Sequence, residues 1–111
     1  MLDKPLCWVG SSLEAIRRFP AEARRAAGYE LRRVQQGLMP SDWKPMRTVG
    51  PGVMEIRRHT GREHRVFYVA KFEEAVYVLH AFEKRTRQTS QADIELATKR
   101  FAAVLQARRG R

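Results

Sequence analysis

Glu55, Arg57, Arg65, His80, Phe82 and Lys84 are the residues of this chain whose types and spacing could do chemistry. They fall in or beside three short runs rich in Val, Tyr and Phe: Val53 to Arg58, His64 to Ala70 and Ala75 to Phe82. Alternate side chains of a strand share a face. One consistent choice of faces gathers all six on one side of a sheet, with Val76 and Val78 alongside His80, and leaves a largely apolar side for helices. A one-residue bulge would reverse any of these assignments. Two guanidinium groups and an ammonium can hold a phosphodiester and stabilise the charge that builds on it during transfer. Phe82 offers a plane for an unpaired base, worth ~1–3 kcal/mol per base. A proton must also move, and Glu55, His80 or a Lys84 made less basic by its Arg neighbours could move it. The plainer reading is a set of solvated strand charges with Glu55 paired to Arg57 or Arg65, and spacing alone does not separate the two.

The elements that must position these residues can be read along the chain. Leu6 to Val9 is a short apolar run suited to an edge strand and ended by Gly10. Ser11 with Glu14 reads as a capping box for a short helix that buries Leu13 and Ile16. Pro20 suits the first turn of a second helix, whose apolar stripe is Ala23, Ala27, Leu31, Val34 and Leu38, with Arg24, Arg25, Arg32 and Arg33 off it. Gly37 is placed to stop that helix, with Pro40 beyond it. Met46 to Val49 is a further strand, and Gly50-Pro51-Gly52, Thr60-Gly61-Arg62 and Lys71 to Glu74 are connections of hairpin length, so the middle of the chain reads as an antiparallel meander. Ser90 with Asp93 starts a closing helix whose stripe is Ile94, Ala97, Phe101, Val104 and Leu105. The fold class expected is α+β: two N-terminal helices and a C-terminal helix packed on one mainly antiparallel sheet.

Composition bounds the function. The 111 residues are enough for one compact domain and not comfortably for two, so residues 1–111 read as a single domain. Twenty-two Lys and Arg against twelve Asp and Glu leave a net charge of +10, which favours polyanionic partners. The excess is spread over the whole chain. Arg108, Arg109 and Arg111 make only a short tail, so a basic surface on a folded body is expected rather than a disordered arm. Arg outnumbers Lys seventeen to five, which suits bidentate phosphate contact. With no Asn and only three Ile, a GC-rich codon bias explains that preference equally well, but it does not explain the net charge. No apolar run approaches the ~20 residues of a membrane span, and no secretory leader is evident, so no membrane is expected. The lone Cys7 fits a reducing cytoplasm and is expected to be buried. Trp8 and Trp43 read as packing residues. His59 and His64 lie across a hairpin turn with no Cys or carboxylate at ligand spacing, so no metal and no cofactor are expected. There is no P-loop, no dinucleotide-binding glycine pattern, no serine nucleophile elbow and no helix-turn-helix pattern.

Several strings carry a resemblance: Trp43-Lys44-Pro45-Met46, Gly52-Val53-Met54-Glu55-Ile56-Arg57, Arg65-Val66-Phe67-Tyr68-Val69, and Val78-Leu79-His80-Ala81-Phe82-Glu83-Lys84-Arg85-Thr86 followed by Asp93-Ile94-Glu95-Leu96-Ala97 and Arg100. With Phe19-Pro20 and the helix from Leu31 to Gly37, the chain resembles the HigB-like, phage-related branch of the RelE/ParE toxin superfamily, from about residue 6 to residue 105. The block from Val78 to Ala97 is its most specific part. The resemblance implies a microbial-RNase-like α+β fold and a type II toxin–antitoxin module. It implies a toxin that cuts mRNA in the ribosomal A site without metal, by attack of the ribose 2′-OH on the adjacent phosphate. Its partners would be mRNA, the ribosome and a cognate antitoxin, often of helix-turn-helix type.

The family's strand arginine falls on Arg65, its basic pair on Lys84 and Arg85, and its Glu-Ile-Arg strand brings Arg57. Taken with the residues that strand spacing brings together, the candidate catalytic set is Arg65, Lys84, Arg57, Glu55 and His80, and the candidate RNA-binding set is Arg85, Phe82, Arg87, Lys44 and Arg47. Relatives commonly place a Tyr after the basic pair or in the tail, and nothing here past Tyr77 is a tyrosine. Others place a His near the C-terminus, whereas His80 lies earlier. Lys84, Glu55 and His80 thus stay in competition for the general base. Arg24, Arg25, Arg32 and Arg33 could grip ribosomal RNA or form a solvated helix face. Two rival functions remain: a gyrase inhibitor like the ParE side of the superfamily, and a noncatalytic RNA- or DNA-binding domain.

Overall fold

The computed structural model describes residues 3–110, so Arg111 of the basic tail lies outside the described residues. Its elements are β1 (Leu6–Trp8), α1 (Ser12–Arg17), α2 (Ala21–Gln35), β2 (Trp43–Pro45), β3 (Val53–Thr60), β4 (Arg62–Val69), β5 (Val76–Lys84) and α3 (Gln91–Arg109). The expected α+β class holds. One five-stranded sheet has the order β1-β5-β4-β3-β2, with β5 to β2 an antiparallel meander and β1 added in parallel along β5. No helix among the described residues is long and apolar enough to cross a membrane.

Local chemistry accounts for most boundaries. Pro20, at φ −52° and ψ 151°, sits just before α2, so its missing N–H leaves no helical bond unmade. Gly37 ends the helix region at φ +82°, a conformation that strains other residues. The Ser90 hydroxyl accepts the Asp93 N–H at 3.1 Å and caps α3 as expected. Ser11 makes no such cap on α1; its hydroxyl accepts instead from Arg100 Nη2 at 3.0 Å, which ties α1 to α3. Glu30, fully buried on α2, accepts from Ser41 N and Oγ and from Arg58 Nη1 at 2.9 Å, so an ion pair holds α2 to β3.

The apolar residues form two clusters, one on each face of the sheet. Ile16, Ala23, Ala27, Leu31 and Val34 of α1 and α2 pack with Ile56, Val66, Tyr68, Val76 and Val78. On the other face Ala97, Phe101 and Val104 of α3 pack with Val53, Phe67, Val69, Tyr77 and Leu79. The helices therefore do not share one apolar face. Other departures are local. Met46 and Val49 are buried, but in a turn, and the strand lies just before them at Trp43–Pro45. Leu38 lies beyond the end of α2 and is half exposed. Cys7 is exposed, because it sits on an edge strand, and Trp43 on the opposite edge is exposed too.

Candidate active site

Pairing across the sheet assembles the site in three rows. Lys44, Glu55, Phe67 and His80 are directly opposite one another on successive strands; Arg57, Arg65 and Phe82 form the next row; His59, Glu63 and Lys84 form the third. Directly opposed residues share a face, so this is one polar surface beside the α3 cluster. The expected grouping of Glu55, Arg57, Arg65, His80, Phe82 and Lys84 is therefore present. The part of it that assigned Val76 and Val78 to the same face is not. The register passes from Phe67 opposite His80 to Tyr68 opposite Val78, so Leu79 is an extra residue. This bulge turns Val76 and Val78 toward α1 and α2 while leaving His80, Phe82 and Lys84 on the site face.

At the centre is a closely set group of opposite charges. Glu55 is 1% exposed, its carboxylate oxygens lie 3.7 Å from Arg57 Nε and 3.7 Å from Arg65 Nε, and neither oxygen accepts a hydrogen bond among the described residues. Burial raises its pKa, and the cations Arg65, Lys44, Arg57 and Lys84 act against that rise. Arg65 is 2% exposed; its Nη2 donates to Glu63 at 2.9 Å and its Nη1 to the His64 carbonyl at 3.1 Å. Lys84, at the end of β5, is half-buried and has no ion pair among the described residues. Burial and the adjacent Arg65 lower its pKa, against the pull of Glu55. An amine made less basic in this way exchanges protons more readily near neutrality than an ordinary lysine.

The remaining expected residues are placed less uniformly. Lys44 faces Glu55 from the exposed edge strand. His80 is turned from solvent: its Nε2 is 2.7 Å from Asp93 Oδ1, its Nδ1 is buried with no hydrogen-bond partner among the described residues, and burial lowers its pKa despite the Asp93 carboxylate. This contact fastens α3 to β5. Phe82 is nine-tenths buried, with its ring stacked on His80 at 5.0 Å and edge-on to Phe67 at 5.1 Å, so little of its plane is open to a base. A cleft of about 220 Å³ opens between Phe82, Lys84 and Arg85 on one side and Ser90 and Asp93 on the other. Arg85 is 78% exposed and 3.4 Å from Glu83, while Arg87 and Arg47 are exposed on the segments after β5 and β2.

Sequence reasoning missed the outer carboxylates. Glu63 holds Arg65, and it also meets His59 Nδ1 at 2.7 Å, whose Nε2 is 2.9 Å from Asp42 Oδ2. The chain Asp42–His59–Glu63–Arg65 is built by the β3–β4 hairpin and the residue just before β2. Its signal was present in the pattern: Glu63 and Arg65 are two residues apart on one strand and so share a face. Asp93, read only as a helix start, also orients His80.

No curated protein matches the chain. Residues 14–102 match the family described as Phage derived protein Gp49-like (DUF891), a RelE-like toxin family of toxin–antitoxin systems. The matched span runs from α1 into α3 and includes every row of the polar surface. The chain belongs to this Gp49-like family, and membership implies an antitoxin as its partner.

Proposed function

We propose that the chain, acting as one toxin domain over residues 1–111, is a HigB-like mRNA endoribonuclease that works on the ribosome in the cytoplasm and is neutralised by a cognate antitoxin. The observation that carries this reading is a single sheet face on which Lys44, Arg57, Arg65 and Lys84 surround Glu55, beside an open cleft. Cations set at fixed positions stabilise charge that develops on a phosphoryl group, without reorganisation at the moment of reaction. Lys44 is exposed and Arg57 and Lys84 are half-buried, so these three would meet the phosphate before the buried Arg65. Lys84, with no ion pair among the described residues and its pKa depressed, takes the proton from the ribose 2′-OH. The 2′ oxygen bonds to phosphorus, the bond to the 5′ oxygen breaks, and that oxygen takes up a proton from water. Glu55 is too deeply buried to reach a hydroxyl and balances the cations instead; His80 is committed to Asp93.

The test is induction of the protein alone in cells. The expected result is growth arrest with transcripts truncated at codon boundaries, and little cleavage of naked RNA. Translated mRNAs that stay intact during arrest would overturn the reading, and DNA damage in their place would point to gyrase. Lys84→Ala removes the base and should lower cleavage by about 10²–10⁴-fold. Arg65→Ala should cost about 10²–10³-fold through lost charge stabilisation. The rate of the wild type should rise with pH up to the depressed pKa of Lys84 and level above it.

A further inference from the structure

Arg65 is the residue best placed behind the phosphate, yet its guanidinium is enclosed by carboxylates on two sides. Glu55 lies beneath it at 3.7 Å and is 1% exposed, so that carboxylate has nowhere to go. Glu63 lies at the outer side, donated to by Nη2 at 2.9 Å, and its side chain is 42% exposed. Both oxygens of Glu63 also sit 2.7–2.8 Å from His59 Nδ1. Asp42 holds the other ring nitrogen at 2.9 Å, and two carboxylates on one imidazole favour its doubly protonated form as donor to both. Breaking the bond to Arg65 therefore leaves Glu63 still hydrogen-bonded to His59, which lowers the cost of moving it aside.

We propose that Glu63 is an internal competitor for Arg65, occupying the position of a substrate phosphate until an RNA phosphodiester displaces it onto His59. A carboxylate and a phosphate offer a guanidinium the same paired anionic oxygens, so either satisfies Arg65 and both cannot. Glu63 is thus a positioning residue that sets how readily Arg65 becomes available, and this deepens the endoribonuclease reading of the same site, on which it rests.

Inorganic phosphate is a probe that does not depend on ribosomes. Titrated into the full chain while the Arg65 side-chain N–H signals are followed by NMR, it should bind Glu63→Gln roughly fivefold more tightly than wild type, as expected for an ion pair of about 1 kcal/mol with one partner open to solvent. Glu63→Asp should restore wild-type affinity. Glu83→Gln removes the same charge from a carboxylate that pairs with Arg62 and Arg85 rather than Arg65, and should change binding far less. Glu63→Thr repeats the test with a residue suited to strands. On ribosomes, Glu63→Gln should lower KM with little change in kcat. Equal affinities for wild type, Glu63→Gln and Glu63→Thr, or an equal gain in Glu83→Gln, would overturn the competitor role. Phosphate gain at Arg65 without any mRNA cleavage by wild type would instead leave the competitor standing and remove the endoribonuclease. Cleavage by wild type with no gain in Glu63→Gln would do the reverse.

Discussion

His59 has a carboxylate on each ring nitrogen, and the hydrogen bonds it donates to Glu63 and Asp42 raise its pKa above the ordinary histidine value. Because the shift is upward, the stability it contributes is fully present below the unfolded pKa and is lost as pH rises through the folded one. Half of the side chain is exposed, so solvent screening keeps the contribution to no more than about 0.5 kcal/mol. Urea unfolding at about pH 5.5 and about pH 8.5 should show wild type losing that increment relative to His59→Gln, and parallel behaviour of the two proteins would show that the imidazole is not held. This cluster marks the boundary of what was legible at single-residue scale. Glu55, Arg57, Arg65 and Lys84 come together because strand alternation is a property of the chain itself. His80 and Phe82 reach the same face but are used inward, for α3 and for ring stacking. Nothing in their spacing reveals this, since it depends on where the last helix docks. Glu63 was legible only through its two-residue spacing from Arg65, and Asp42 not at all, because it meets His59 only where the start of β2 lies alongside β3.

At the scale of elements, the turn before β3 carries a second constraint. A Cβ added at Gly50 would lie 2.3 Å from ring atoms of Phe101, which is 4% exposed in the α3 cluster. Gly50→Ala should therefore force β2 or α3 to shift and cost about 1–3 kcal/mol, read by urea denaturation. Wild-type stability in that variant would mean that the ring moves freely and does not fix the turn. The Gly50-Pro51-Gly52 turn itself was plain in the sequence, as were Gly61 at the next hairpin and the Ser90 cap. What escaped was decided by contacts distant in sequence. Met46 and Val49 carry the composition of a strand but are buried against the α3 cluster from a turn, while the exposed Trp43–Pro45 makes the ladder. The bulge at Leu79 depends on fitting β5 to β4 and to two cores at once, so no local residue announces it. The capping box at Ser11 fails because Arg100 of α3 takes the hydroxyl.

Across the whole molecule, the excess of ten positive charges has two parts that sequence counting merges. One part is the sheet face, where Lys44, Arg57 and Lys84 with the exposed Arg85 can meet a nucleic-acid backbone. The other is scattered over helix surfaces, including Arg24, Arg25, Arg32 and Arg109. Salt dependence separates them, because each phosphate neutralised on a single strand releases counterions with a slope of about −0.7 in log K against log salt. Four cations on the sheet face should give a slope of roughly −3 for a short single-stranded RNA. Lys44→Gln, at the edge of that face and outside the reacting group, should flatten the slope by about 0.7. Arg109→Gln lies sixteen residues beyond Asp93, roughly 24 Å along α3, and should leave it unchanged. Equal flattening by the two substitutions would mean that RNA is held by the diffuse field of the molecule. In that case the sheet face would do chemistry without choosing where the strand lies, and the orientation of the message would have to come from the ribosome.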